Sequence, residues 1–357
     1  MTFHTKPSYA QKRVRMSNCP MKSREGDFVE NQDGALFDVK GLVHPPGGIV
    51  AFIRYFPDEK GERKKGGAAY GKVYSFWERY ELLKSRFPKY VVYDPVFDET
   101  VCEVPETDIK KRYDPIEKLS QLRASENSDL LEETAVHFVE KLKKQSNAPR
   151  NAFGISGSIL VGLHETGSDV DPIVYGSENC RRVYSGLRDL LKEPGSRIKP
   201  YSVGELKGLF GFRSKDTIVS FKEFVRTESK KVLQGKFAGT DYFVRFVKDW
   251  NEIHEEYGDV QYRNVGYAEV KALVTDDSES IFTPCRYVLE KATVLDGPKH
   301  TQIEEIASFR GRFCDQARNG DKIVAQGKVE KVTNMKQNRE YLRLLIGNNP
   351  SDYMIVA

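Results

Sequence analysis

Two carboxylates, Asp169 and Asp171, stand one residue apart in the run Asp169-Val170-Asp171-Pro172-Ile173-Val174-Tyr175, downstream of a Gly157-Ser158 pair. In a strand the side chains alternate, so both acids fall on one face. Two ionised carboxylates that close repel each other unless something neutralises them. A divalent cation does so, and Mg²⁺ favours one or two carboxylates completed by phosphate oxygens. The Gly157-Ser158 corner opens a short helix, whose first N–H groups and dipole favour an anion. Glycine there lets a phosphate approach the backbone. Ser168, in the turn just before the acids, is a third candidate contact for a nucleotide. The parts fit a triphosphate held by the turn at one end and by metal at the other.

The elements around these residues must supply that geometry. Residues 152 to 156 read as a strand ending at Gly157, 159 to 163 as a short helix, 164 to 167 as a turn and 169 to 175 as a second strand. Upstream, residues 129 to 144 show helical spacing through Leu131, Ala135, Phe138 and Leu142, with Ser128 or Asp129 as cap. Downstream, 181 to 191 and 217 to 233 read as helices, and 241 to 247 as one strand rich in β-formers.

The flanks differ in texture. Residues 34 to 56 read as a hairpin turning on Pro-Pro-Gly-Gly. The run 59 to 71 reads as an exposed loop with Arg63, Lys64 and Lys65 at a solvated tip. Residues 73 to 86 have helical spacing. From residue 260, short β-rich runs at regular spacing predict a barrel or sandwich. The expected organisation is a basic arm over 1–24, a small α+β domain over 25–112, a central domain over 113–252 and a β-rich barrel-like domain over 260–357.

A strand, Gly-Ser, a spacer and Asp-x-Asp in this order resemble the nucleotidyltransferase superfamily of DNA polymerase β, which includes CCA-adding enzymes and minimal nucleotidyltransferases. Gly157, Ser158, Asp169 and Asp171 carry the resemblance, which spans about residues 129–250; Pro172 departs from it, standing where the family usually has an aliphatic residue. It implies an α+β fold with a polymerase β-like core of mixed sheet and helices. It also implies two Mg²⁺ ions at Asp169, Asp171 and a third carboxylate from a later strand. Asp241 is the candidate for that third acid, and Glu269 its rival. Gly157, Ser158 and Ser168 would contact the nucleotide.

The implied activity is transfer of a nucleotide from a nucleoside triphosphate such as ATP to a hydroxyl acceptor, by two-metal phosphoryl transfer. The acceptor is open between an RNA end, a protein and a small molecule, with a lean towards RNA. The alternative is the same fold without catalysis, acting as an RNA- or protein-binding module.

Composition sets outer bounds. The chain has 357 residues, 30% of them charged, and a net charge of +4. Mild basicity permits a nucleic acid or nucleotide partner without requiring one. Cys19, Cys102, Cys180, Cys285 and Cys314 are scattered without a metal-binding spacing. Lacking an apolar run long enough to span a bilayer, the chain is expected to be cytoplasmic, with no membrane partner. His164 reads as a turn residue, Cys285 as structural, and Trp77 and Trp250 as core or interface.

Overall fold

In the computed structural model, residues 22–215, 218–298 and 302–357 are described. Residues 1–21 of the expected basic arm lie outside them. Its last residue, Arg24, is buried: the guanidinium lies 3.6 Å from the Tyr175 ring centroid and pairs with Asp249 at 2.8 Å.

Glycines in the Pro-Pro-Gly-Gly stretch let the chain reverse, so that strand Leu36–Val39 pairs antiparallel with Gly48–Pro57. Alternation along the second strand buries Ile49, Ala51, Ile53 and Tyr55. Phe52, on the other face, stacks on Phe76 at 5.1 Å, which seats helix Phe76–Arg86 on the sheet. A Ser75–Glu78 capping box starts that helix three residues later than its spacing suggests.

The run 59–71 is not a loop. Strands Arg63–Lys65 and Ala68–Lys72 form a hairpin turning on Gly66 and Gly67, both at positive φ. Nor is Arg63 a solvated tip. It is 8% exposed, donates to the Leu163 carbonyl and pairs with Glu165 at 3.0 Å. Phe28, Leu36, Tyr55 and Tyr70 of this region bury against Leu160, Val161 and Leu163. The N-terminal sheet is thereby docked directly behind the Gly157-Ser158 corner. Each such large apolar side chain, fully buried, contributes roughly 1.5–3 kcal/mol.

Centrally, strand Phe153–Ile155 runs antiparallel to Pro172–Tyr175, which runs parallel to Arg245–Val247. Helix Leu130–Ser146, capped by the Asp129 carboxylate, covers this unit with Phe138 stacked on Phe237 at 4.9 Å and tilted against Tyr242 at 4.6 Å. Helix Ser177–Lys192 packs beside it. The helix expected over 217–233 is shorter, Phe221–Glu228, and a further helix, Val203–Arg213, precedes it. The strand expected over 241–247 is split. Thr240–Phe243 pairs with Gln234–Phe237, whereas Arg245–Val247 joins the other sheet. Val244 marks the break, donating its N–H to the Leu233 carbonyl at 2.8 Å.

The C-terminal region is one six-stranded sheet that curls on itself. Val260–Asp276, Cys285–Asp296, Ile303–Ser308, Arg339–Leu345 and Lys322–Asn334 pair in that order; Lys322–Asn334 pairs back to the first and also to the sixth strand, Tyr353–Val356. The whole is a mixed α+β protein with several sheets and, among the described residues, seven α-helices. None of those helices is long and apolar enough to cross a membrane.

Candidate active site

Val170 forms a parallel bridge with Tyr242, its N–H donating to the Asp241 carbonyl at 2.9 Å and its carbonyl accepting from Phe243 at 3.1 Å. Val170 and Tyr242 are each 1% exposed and face the core. By alternation Asp169, Asp171, Asp241 and Phe243 project from the opposite face. Asp169 and Asp241 are therefore register neighbours on adjacent strand segments. The regular strand begins only at Pro172, since proline has no N–H for a ladder, so the acids occupy its extended lead-in.

Asp169 and Asp171 line a cleft of about 1520 Å³, bounded by the N-terminal sheet, the central unit and the curled C-terminal sheet. Among the described residues neither carboxylate has an ion-pair partner. Burial pushes the Asp171 carboxyl up to about 7, with help from the Asp169 charge and against the pull of Arg245, Lys72 and Arg54. Arg245 is itself engaged by the fully buried Glu25 carboxylate. Across the cleft, Asp38 pairs with Lys40 at 2.7 Å and leaves its Oδ1 buried and unpartnered.

Gly157 begins helix Gly157–Val161 at φ +66°. A Cβ added there would lie 2.0 Å from Asp171 Oδ2, so the missing side chain is what lets the Asp171 carboxylate rest on the turn. Gly157→Ala is expected to lose about 1–2 kcal/mol from the left-handed backbone alone. It should also displace Asp171. Thermal unfolding and nucleotide binding check this together, and wild-type values in both would refute the close packing.

The other expected contacts are placed less simply. Ser158 is 4% exposed and its Oγ is buried without a partner among the described residues. Ser168 Oγ accepts from the Glu165 N–H at 2.9 Å, which closes the turn. Asp241 is half exposed and pairs with Lys236 at 3.1 Å. Burial, and after it the Asp241 charge, raise the Tyr201 phenol well above its ordinary range. Glu269 belongs to the C-terminal sheet, where its carboxylate accepts from the Tyr353 hydroxyl. Among the described residues no three His, Cys, Asp or Glu side chains gather closely enough to hold a metal ion. The expected three-acid metal site of Asp169, Asp171 and Asp241 is thus not assembled among the described residues, where Asp241 is paired with Lys236. The Asp169–Asp171 pair does fit one hard cation: two oxygen donors on one face, uncompensated, at a cleft wall.

Several contacts of the site escaped the sequence reading. Arg245 lies beyond the break at Val244, so the alternation of the preceding strand does not place it. Arg54, Lys72, Tyr55 and Tyr201 carried no local signal. His164 is occupied by Asp129 at 2.7 Å. Cys285 is buried beside Cys314. Trp77 is 72% exposed and so is not a core residue.

The fold and site together define a mixed α+β protein with an acid pair at the wall of a large, partly basic cleft. The chain is 30% identical over 335 residues to the uncharacterized protein MJ1086 of Methanocaldococcus jannaschii, a match covering 92% of this chain and 96% of that one. It belongs to the same family as that archaeal protein. No family model matches the chain, and no solved structure matches it.

Proposed function

We propose that the protein is a Mg²⁺-dependent nucleotidyltransferase with a polymerase β-like core, moving a nucleotide from a nucleoside triphosphate to a hydroxyl acceptor. The observation that carries this reading is the Val170–Tyr242 bridge, which sets Asp169, Asp171 and Asp241 on one face of two adjacent segments. Asp169 and Asp171 would hold the metal, which when bound supplies charge compensation for the phosphates. The first-turn N–H groups at the Gly157-Ser158 corner would add donors for a phosphate oxygen. Asp241 would accept the proton of the acceptor hydroxyl once its ion pair with Lys236 is exchanged. The cleft volume of about 1520 Å³ exceeds the roughly 300–1,000 Å³ of small-molecule sites, which favours a macromolecular acceptor such as RNA.

A second reading has its own support. Asp241 is tied to Lys236, and no three-acid group is assembled among the described residues. Both features suit a fold that binds RNA or protein without catalysis.

Calorimetry with ATP, CTP, GTP and UTP, with and without Mg²⁺, tests the enzyme reading. Wild type is expected to bind at least one triphosphate only with Mg²⁺. Asp169→Ala/Asp171→Ala should weaken that binding at least about 100-fold, the scale of losing a pair of strong charge-assisted contacts. Absence of triphosphate binding by folded wild type would overturn the enzyme reading in favour of the binding module.

A further inference from the structure

We propose that Arg54 and Lys72, both from the N-terminal sheet, form the anion-binding wall of this site and hold the β- and γ-phosphates that leave as pyrophosphate. The inference rests on the nucleotidyltransferase reading and assigns a role to a part of the chain outside the resemblance to that family.

Lys72 ends strand Ala68–Lys72, and Tyr74, two residues further on, is the point at which the two cations meet. Lys72 is opposite Tyr55 in the antiparallel register, and Arg54 precedes Tyr55 on the same strand. Both converge on one ring. The Arg54 guanidinium lies 5.8 Å and the Lys72 ammonium 4.8 Å from the Tyr74 centroid, and Tyr74 lines the cleft with Arg54. Arg54 also donates to the Val73 carbonyl at 3.3 Å, which fixes its direction. Among the described residues neither cation has an ion pair with a carboxylate. Like charges held together without an anion are unfavourable. Lys72 reports that strain: burial, then Arg54 and Arg63, draw its ammonium down to about 8, while Asp169 and Asp171 pull it up.

Arg54 and Tyr74 line the same cleft as Asp169 and Asp171, and the Lys72 ammonium is held against the Tyr74 ring. Lys72 feels both acids electrostatically, and Asp171 feels Lys72 and Arg54. A metal–polyphosphate complex satisfies both walls, with the cation on the acids and the phosphate oxygens on the arginine and lysine. The need is real, because a triphosphate carries about four negative charges near neutral pH and one Mg²⁺ offsets two of them. The Gly157-Ser158 corner would offer backbone N–H donors but carries no formal positive charge, and its serine hydroxyl is buried. In the transfer the acceptor oxygen bonds to the α-phosphorus. The bond from that phosphorus to the bridging oxygen breaks, and its electron pair leaves on pyrophosphate. Charge therefore accumulates on the group that Arg54 and Lys72 would touch.

The test is calorimetric binding of inorganic pyrophosphate with Mg²⁺ to the full chain. Arg54→Gln and Lys72→Met are each expected to weaken it about 10- to 100-fold, and Lys72→Arg to stay within about threefold. Thermal midpoints confirm that each variant is folded. Should Lys72→Met fail to fold, Arg54→Gln decides alone. If both neutral variants bind pyrophosphate like wild type while Asp169→Ala/Asp171→Ala loses it, this inference falls and the metal site stands. If folded wild type binds neither pyrophosphate nor any triphosphate, the functional reading and the inference fall together.

Discussion

Asp171→Asn should give a protein that is inactive in nucleotidyl transfer and more stable than wild type at pH 8. The stability gain follows from the raised acid. Its carboxyl ionises near 3.8 in a solvated chain and near 7 in the fold. Below about pH 4 both states hold the proton, so the group costs nothing. Between about pH 4 and 7 the unfolded chain ionises first, the fold is penalised, and the penalty is complete above 7. Three units at 1.36 kcal/mol each set a ceiling of about 4 kcal/mol. Contact with cleft solvent and charge sharing with Asp169 reduce this to about 2–3 kcal/mol. Asparagine carries no charge at any pH, so its advantage opens across the same window. Asp27, also pushed up by burial to about 6, acts equally in both proteins and cancels. Urea unfolding at pH 4 and pH 8 measures the effect, and equal stability at pH 8 would refute it. Saturating Mg²⁺ and triphosphate, at about 100 times the dissociation constant, should return roughly 2.7 kcal/mol to wild type and nothing to the variant. On the proposed reading, the site gives up stability for a charge that the metal–triphosphate complex would offset.

How much of this could be read from the chain depends on the range of the forces involved. The Asp129 cap, the 129–144 helix and the Gly157-to-Asp171 layout are local. Caps, periodicity and glycine conformations are set by neighbours in sequence, so they were legible. The 63–72 hairpin was missed although Gly66-Gly67 is a recognisable positive-φ turn, because the surrounding lysines and arginines read as a solvated loop. Helix Val203–Arg213 was hidden by Gly204, Gly208 and Gly211. Its Ser202–Glu205 capping box was the available signal. The break at Val244 was not visible, since two sheets competing for one strand is a tertiary event. Arg54 and Lys72 are the clearest case. Arg54 shares a cleft with the acids because Tyr55, Tyr70 and their neighbours dock the sheet onto Leu160, Val161 and Leu163, and no spacing in the sequence encodes that contact.

The third acid offers the sharpest separation between catalysis and mere binding. Asp241→Asn is expected to lower the transfer rate about 100- to 1,000-fold, the range for removing a group that handles a proton or charge at the reacting centre. Triphosphate binding should change little, because Asp169 and Asp171 keep the metal. Glu269→Gln should leave the rate near wild type, as that carboxylate serves Tyr353 in the C-terminal sheet. Lys236 gives the control. It holds Asp241 at 3.1 Å and contacts Glu205 at 3.8 Å, so Lys236→Met frees the acid without touching the metal pair. If Asp241 works only when released, Lys236→Met raises the rate or leaves it unchanged. If the ion pair instead positions Asp241, the rate falls, and Asp241→Asn in the same background lowers it no further. Single-turnover rates with labelled triphosphate distinguish these outcomes. A rate in Asp241→Asn within about threefold of wild type would remove Asp241 from the mechanism. Transfer would then have to proceed on the Asp169–Asp171 pair alone, with the proton passing to solvent through the open cleft.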